Sequence, residues 1–233
     1  MTAWVPVTTG KSGARVWRGP GVHRKQDDPA QLAAEAARLI WLSEHGIPCP
    51  TVISLDDDGL VTTTLPGRPA HELPSHLWPR TAAAHAQVLH DLHRLPVEAC
   101  PFDEMLATTL PRAHRAALTG GVDLTDLDAA RRGWSAAQLL TALEATTPSD
   151  EDLVVCHGDP GCANVLFDDD GELAGILDVD RLGVADRCRD LAIAARSIRD
   201  RLGPPAAQAL LDAYGRSVDP ARLAFYRLLD EFC

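Results

Sequence analysis

Along the first third of the chain, short apolar stretches alternate with polar residues and break at Gly, Pro and Asp. Residues 4–7, 14–18, 22–25, 52–55 and 60–64 read as strands of a small sheet by that alternation and those turn signals. One helix interrupts them over 29–45, where Leu32, Ala36, Leu39, Ile40 and Leu42 recur near the helical period. Asp28 is its predicted N-cap, Pro29 its first residue and Gly46 its stop. Pro66-Gly67 marks a hinge, after which the pattern turns helical: 75–95, 103–119, 125–131, 135–146, 186–202, 205–214 and 220–231. Short strands at 153–156, 165–167 and 173–177 sit inside that half. The expectation is an α+β, two-lobed protein-kinase-like fold. A β-rich lobe with one helix (1–66) precedes a larger, mainly helical lobe (67–233).

The chain has 233 residues, enough for two lobes around one cleft. Its net charge of −11 speaks against nucleic acid or an anionic membrane as partner. Acidity aids solubility, and an acidic cleft also suits a polycationic substrate. No apolar run approaches the roughly 18–20 residues that span a bilayer. The opening Met1–Val7 lacks the regions of a secretion signal, and the six cysteines show no C-x-x-C or framework spacing. A reducing, cytoplasmic setting and a monomer or weak dimer are expected.

The candidate chemistry is concentrated in Val154-Val155-Cys156-His157-Gly158-Asp159-Pro160-Gly161-Cys162-Ala163-Asn164, followed by Ile176-Leu177-Asp178. An apolar strand runs into His-x-Asp, an Asn follows, and a second strand ends on Asp. Phosphoryl transfer uses these parts: one carboxylate to take a hydroxyl proton, and an amide oxygen with a second carboxylate to hold Mg²⁺. Asp159 is the candidate base, Asn164 and Asp178 the candidate metal ligands, and His157 a residue that braces the loop. Asp180 shares the face of Asp178 if the strand continues, so spacing leaves the choice of ligand open. His157 and Asp159 as hydrolase metal ligands lack companion motifs. Lys11 and Lys25 are the only lysines among 22 basic residues. Lys25 ends the third strand and Glu35 lies on the helix after it, an arrangement suited to gripping nucleotide phosphates. Arg24 beside Lys25 leaves the register open. Gly10-Lys11-Ser12-Gly13 is either a phosphate-capping turn or an ordinary hairpin.

On these residues the chain resembles the aminoglycoside 3′-phosphotransferases, antibiotic kinases. The resemblance covers nearly the whole length and is densest in the block Glu151–Asn164, the segment Ile176–Ala192 and the tail Phe225–Cys233. It implies ATP and Mg²⁺ as cofactors, Asp159 as base, Asn164 and Asp178 as Mg²⁺ ligands, Lys25 on phosphate held by Glu35, and Ser12 over the β-phosphate. It further implies that substrate ammonium groups meet Asp128, Asp230, Glu231 and the Cys233 carboxylate, with Arg196 in the cleft and Arg181 supporting. The expected acceptor is the 3′-hydroxyl of kanamycin- or neomycin-like drugs. Trp4-Val5-Pro6-Val7 also resembles streptomycin 3″-kinases; a kinase of another small alcohol and a non-catalytic nucleotide-binding pseudokinase are further alternatives. The sequence departs from the family pattern in a short β lobe, in Asp180 where Gly is usual, in Cys233 for the final Phe, and in Ala129 and Ser197 for acidic residues.

Overall fold

The computed structural model describes residues 4–7 and 14–233; the Gly10–Gly13 turn, with Ser12, lies outside them. Five antiparallel strands form the first sheet, β1 (Val5–Val7), β2 (Arg15–Gly19), β3 (Val22–Gln26), β4 (Val52–Asp56) and β5 (Gly59–Thr63), in the order β1-β2-β3-β5-β4. Helix α1 (Pro29–Glu44) joins β3 to β4. It starts where the sequence predicts: the Asp28 carboxylate accepts from the Ala30 and Gln31 N–H groups, two donors that the first turn leaves unpaired. Leu32, Ala36, Leu39 and Leu42 are buried and Ile40 is exposed. Each such leucine contributes roughly 1.5–3 kcal/mol by leaving water.

Two polar contacts fix α1 to the helical lobe. Arg38 Nε donates to Leu182 O at 2.9 Å, and Trp41 Nε1 to Ala99 O at 3.1 Å. Beneath them the buried Glu104 carboxylate takes Arg112 at 2.8 Å and Arg189 at 3.2 Å. A buried carboxylate persists only when paired in this way.

The second lobe packs α2 (Trp78–Leu92), α3 (Leu106–Thr119), α4 (Ala136–Thr146), α5 (Arg187–Leu202), α6 (Pro204–Tyr214) and α7 (Pro220–Leu229) around one core. Two small antiparallel sheets lie on it: β6 (Arg68–Pro69) with β8 (Val165–Phe167) and β9 (Leu173–Ile176), and β7 (Leu153–Cys156) with β10 (Gly183–Asp186). Among the described residues no helix is long and apolar enough to cross a membrane.

Several elements differ from expectation. The helix expected over 125–131 is absent, apart from one 3₁₀ turn at Ala129–Arg131. There the Asp123 carboxylate accepts from the Thr125 N–H and hydroxyl, and Asp128 caps Ala130. Short side chains bonding their own backbone compete with helix. Helix α3 begins at Leu106 rather than 103, because Asp103 bridges to Val184 and Glu104 donates its N–H to Val184 O. The helix expected from 75 starts at Trp78 after a 3₁₀ turn, and the last helix ends at Leu229, with Glu231 in a final 3₁₀ turn. Strand β10 is absent from the sequence reading: all four residues are buried, so they show no alternation, and Asp186 reads there as the start of α5.

Candidate functional site

Strand β7, buried at Val154, Val155 and Cys156, delivers the chain into the His157–Asn164 loop. Gly158 sits at φ +88°, where a Cβ would collide with the Arg181 carbonyl. Glycine between His and Asp therefore lets the loop press against the loop that carries Asp178. Asp190, fully buried at the start of α5, accepts the His157 and Gly158 N–H groups, both at 2.8 Å. His93 Nε2 approaches the same carboxylate at 3.2 Å, and His93 Nδ1 lies 2.7 Å from the Tyr214 hydroxyl. Burial works against the Asp190 charge, yet His93, His157 and the Gly158 N–H hold its carboxyl below the usual range. Sequence reasoning missed Asp190. Its signal was a carboxylate opening the apolar run Leu191-Ala192-Ile193-Ala194.

Within the loop, Asp159 is half-buried and its N–H donates to His157 Nδ1 at 3.2 Å. The Asn164 amide nitrogen donates to Asp159 O at 3.0 Å, which turns the amide oxygen away as a free acceptor. Ser197 Oγ accepts the Cys162 N–H at 2.8 Å. Asp178 follows β9 at φ +56°, the one non-glycine residue with positive φ among those described. Because the strand ends at Ile176, strand alternation does not place Asp180; a turn does. Burial, with repulsion from Asp180 and Asp159, pushes the Asp178 carboxyl up against the pull of Lys25. Asn164 and Asp178 offer hard oxygen donors, the set that suits Mg²⁺.

Across the cleft, Lys25 Nζ lies 2.8 Å from Glu35 Oε2 and 3.0 Å from Asp180 Oδ2. The register left open by Arg24 is resolved by the sheet: Lys25 faces the cleft, whereas the Arg24 guanidinium lies over the Trp4 ring at 4.6 Å. Burial opposes the Lys25 charge, but Glu35 and Asp180 outweigh it and hold its pKa above the ordinary value. A cavity of about 340 Å³ opens here, lined by Val16, Lys25, Leu60, Thr62–Leu65, Leu166 and Asp178. Apolar walls from both lobes, a threonine edge and two cations, Lys25 and Arg18, fit a nucleotide base with its phosphates.

The tail is less open than expected. Asp230 is held by Arg181 at 3.1 Å and Arg196 at 3.5 Å. The Glu231 side chain is only 3% exposed, accepting from Arg131 at 3.2 Å and from the Asp128 N–H at 3.1 Å. Asp128 caps Ala130 and lies 3.9 Å from Arg199. The Glu231 carboxylate, expected to meet substrate, here braces the 128–131 turn. Cys233 is exposed beside this cluster, and burial of Arg181 is outweighed by the charges of Cys233, Asp230 and Asp159, which keep its pKa raised.

His85 on α2 packs behind the loop, its ring toward the Pro160 carbonyl. Burial, then the His157 charge, pushes it down to about 4. The unfolded chain takes up this proton near pH 6.5 and the folded one does not. On the order of 2–3 kcal/mol of stability is thus present above pH 6.5 and lost as pH falls toward 4. Urea denaturation across that range should show the loss, with a shallower slope in His85→Gln; equal slopes would remove His85 as its source.

Comparison with known proteins follows the same lines. Over 253 residues the chain is 42% identical to an aminoglycoside 3′-phosphotransferase of Streptomyces fradiae, covering 98% of this chain and 94% of that one. A crystal structure of aminoglycoside-3′-phosphotransferase of type VIII superposes with a TM-score of 0.89 at 43% identity, covering 100% and 94%. An aminoglycoside phosphotransferase of Streptomyces rimosus, solved with ADP and streptomycin, gives a TM-score of 0.86 at 30% identity, covering 98% and 92%. With the model of the phosphotransferase enzyme family matching residues 7–226 as well, the chain belongs to that family.

Proposed function

We propose that this enzyme phosphorylates an aminoglycoside, transferring the γ-phosphoryl group of ATP to the 3′-hydroxyl of kanamycin- and neomycin-type drugs and thereby conferring resistance. The observation that carries this reading is the meeting of Asp178 and the Lys25–Glu35 pair at one cavity, with the His157–Asn164 loop packed against the loop that carries Asp178, in a chain 42–43% identical to 3′-phosphotransferases. Residues 1–66 form the nucleotide lobe and 67–233 carry the Asp159 loop and the acceptor surface. The threonine edge at 62–64 receives the adenine, and Lys25, steadied by Glu35, contacts phosphate. Asn164 and Asp178 would hold Mg²⁺, which would offset phosphate charge. Asp159 orients the acceptor hydroxyl and takes its proton as the oxygen bonds to the γ-phosphorus. The bond to the β-phosphate oxygen breaks and ADP leaves. Asp230 and the Cys233 carboxylate present negative charge to ammonium groups, tempered by Arg181 and Arg196. All six cysteines are free, in keeping with a reducing cytoplasm.

Mg²⁺-dependent ADP release is the test, with kanamycin, neomycin, streptomycin, choline and no acceptor compared. Turnover with kanamycin and neomycin is expected, and NMR of the product locates the phosphate. The streptomycin-bound relative makes streptomycin the second reading, at 30% identity against 43%. Turnover confined to streptomycin would move the site of transfer to that drug. Silence with every acceptor would leave a nucleotide-binding pseudokinase.

A further inference from the structure

Asp180 stands in a position that the reaction above does not use. Its carboxylate comes from the loop after β9 in the helical lobe, yet it reaches across the cleft to Lys25 Nζ on β3, at 3.0 Å. An ammonium group has three donors. Glu35 takes one at 2.8 Å and Asp180 a second, so two carboxylates occupy the cation that a phosphate needs. The pairs differ in setting. The Glu35 side chain is 13% exposed, whereas that of Asp180 is 40% exposed and so the more readily released to water. A phosphate entering the cleft displaces the second partner and leaves the first. Asp178 is close enough to act electrostatically on Glu35. One lysine therefore faces three carboxylates, a formal charge of about −2 where a polyanion is to sit.

We infer that Asp180 is a specificity-determining residue of the nucleotide site: it competes with phosphate for Lys25 and so selects the Mg²⁺ complex of the nucleotide over the free nucleotide. This rests on the kinase reading of the site. Free nucleotide has to break the Lys25–Asp180 pair while bringing its whole negative charge against Asp178 and Asp180. The Mg²⁺ complex arrives with part of that charge offset, and its cation attracts the same carboxylates that repel the free form. Glycine at this position, the residue usual in the family the sequence resembles, would leave Lys25 open to either form.

Calorimetric titration with ADP, which allows no turnover, tests the inference on the wild-type protein and on Asp180→Asn and Asp180→Ala, each in excess Mg²⁺ and in EDTA. Thermal melts establish that the variants are folded. In EDTA both variants should bind ADP roughly 5- to 10-fold more tightly than wild type, the scale of a charge-assisted, partly exposed pair. In Mg²⁺ the change should stay below about 2-fold, so selectivity for the Mg²⁺ complex shrinks. The gain in EDTA should shrink in a Lys25→Met background to what relief of direct repulsion alone supplies, since a double-mutant cycle isolates the pair. Three results overturn the inference: equal affinity in EDTA for variants and wild type, a gain undiminished without Lys25, or weakening confined to Mg²⁺. The last would make Asp180 a metal ligand. Wild-type protein that binds no ADP even in Mg²⁺ would overturn the kinase reading and this inference together.

Discussion

Asp159→Ala is expected to lower kcat for kanamycin phosphorylation by at least about 10²-fold, the usual range for loss of a general base. The physical case is positional. Asp159 follows a glycine that allows the loop to lie against the Arg181 carbonyl, and its own N–H is tied to His157. The carboxylate is half-buried at the cleft, and among the described residues it has no structural hydrogen bond to lose. Stability should therefore change by less than about 1 kcal/mol. Steady-state kinetics beside a thermal melt checks both halves. Asp159→Asn should behave similarly, because an amide cannot take the proton. Turnover near wild type in either variant would remove Asp159 as base.

Asp190→Ala is expected to cost more stability than any substitution at the cleft, on the order of 3–5 kcal/mol. Its carboxylate satisfies the His157 and Gly158 N–H groups and His93, all without solvent. Removing it strands three buried donors in a place water does not reach. For a chain of this size the melting temperature should fall by roughly 10 °C. Phosphorylation should fall as well, since Asp159 is one residue beyond Gly158. Asp190→Asn keeps the shape and one acceptor, and should recover part of the stability. A variant lacking the carboxylate that melts and turns over like wild type would show that the loop is held by other means.

The two substitutions separate what the sequence disclosed from what it hid. Asp159, Asn164 and Asp178 stand at recognisable spacing because loop chemistry is local: a strand end, a glycine and the residues a few positions on. Lys25 and Glu35 were legible as well, since one strand and the helix after it carry both, and they meet at 2.8 Å. Asp190 gave no comparable signal. It acts on backbone N–H groups more than thirty positions away, and a helical Asp ordinarily reads as solvent-facing. The 125–131 segment misled for the opposite reason, because its period suggested a helix while its aspartates bonded their own backbone.

Periodicity and turn residues in the chain determined the two lobes and nearly every strand and helix, and local spacing pointed to the side chains proposed to handle phosphate. Those follow from interactions over a few residues, which any stretch of sequence carries within itself. Tertiary structure alone decided the partners. It set Asp180 on Lys25 across the cleft, withdrew Glu231 into a pair with Arg131, placed Arg181 and Arg196 on Asp230, and buried Asp190 beneath the loop. Each of these joins residues distant in the chain whose charges must be matched once they leave water, a condition that exists only after the lobes have packed.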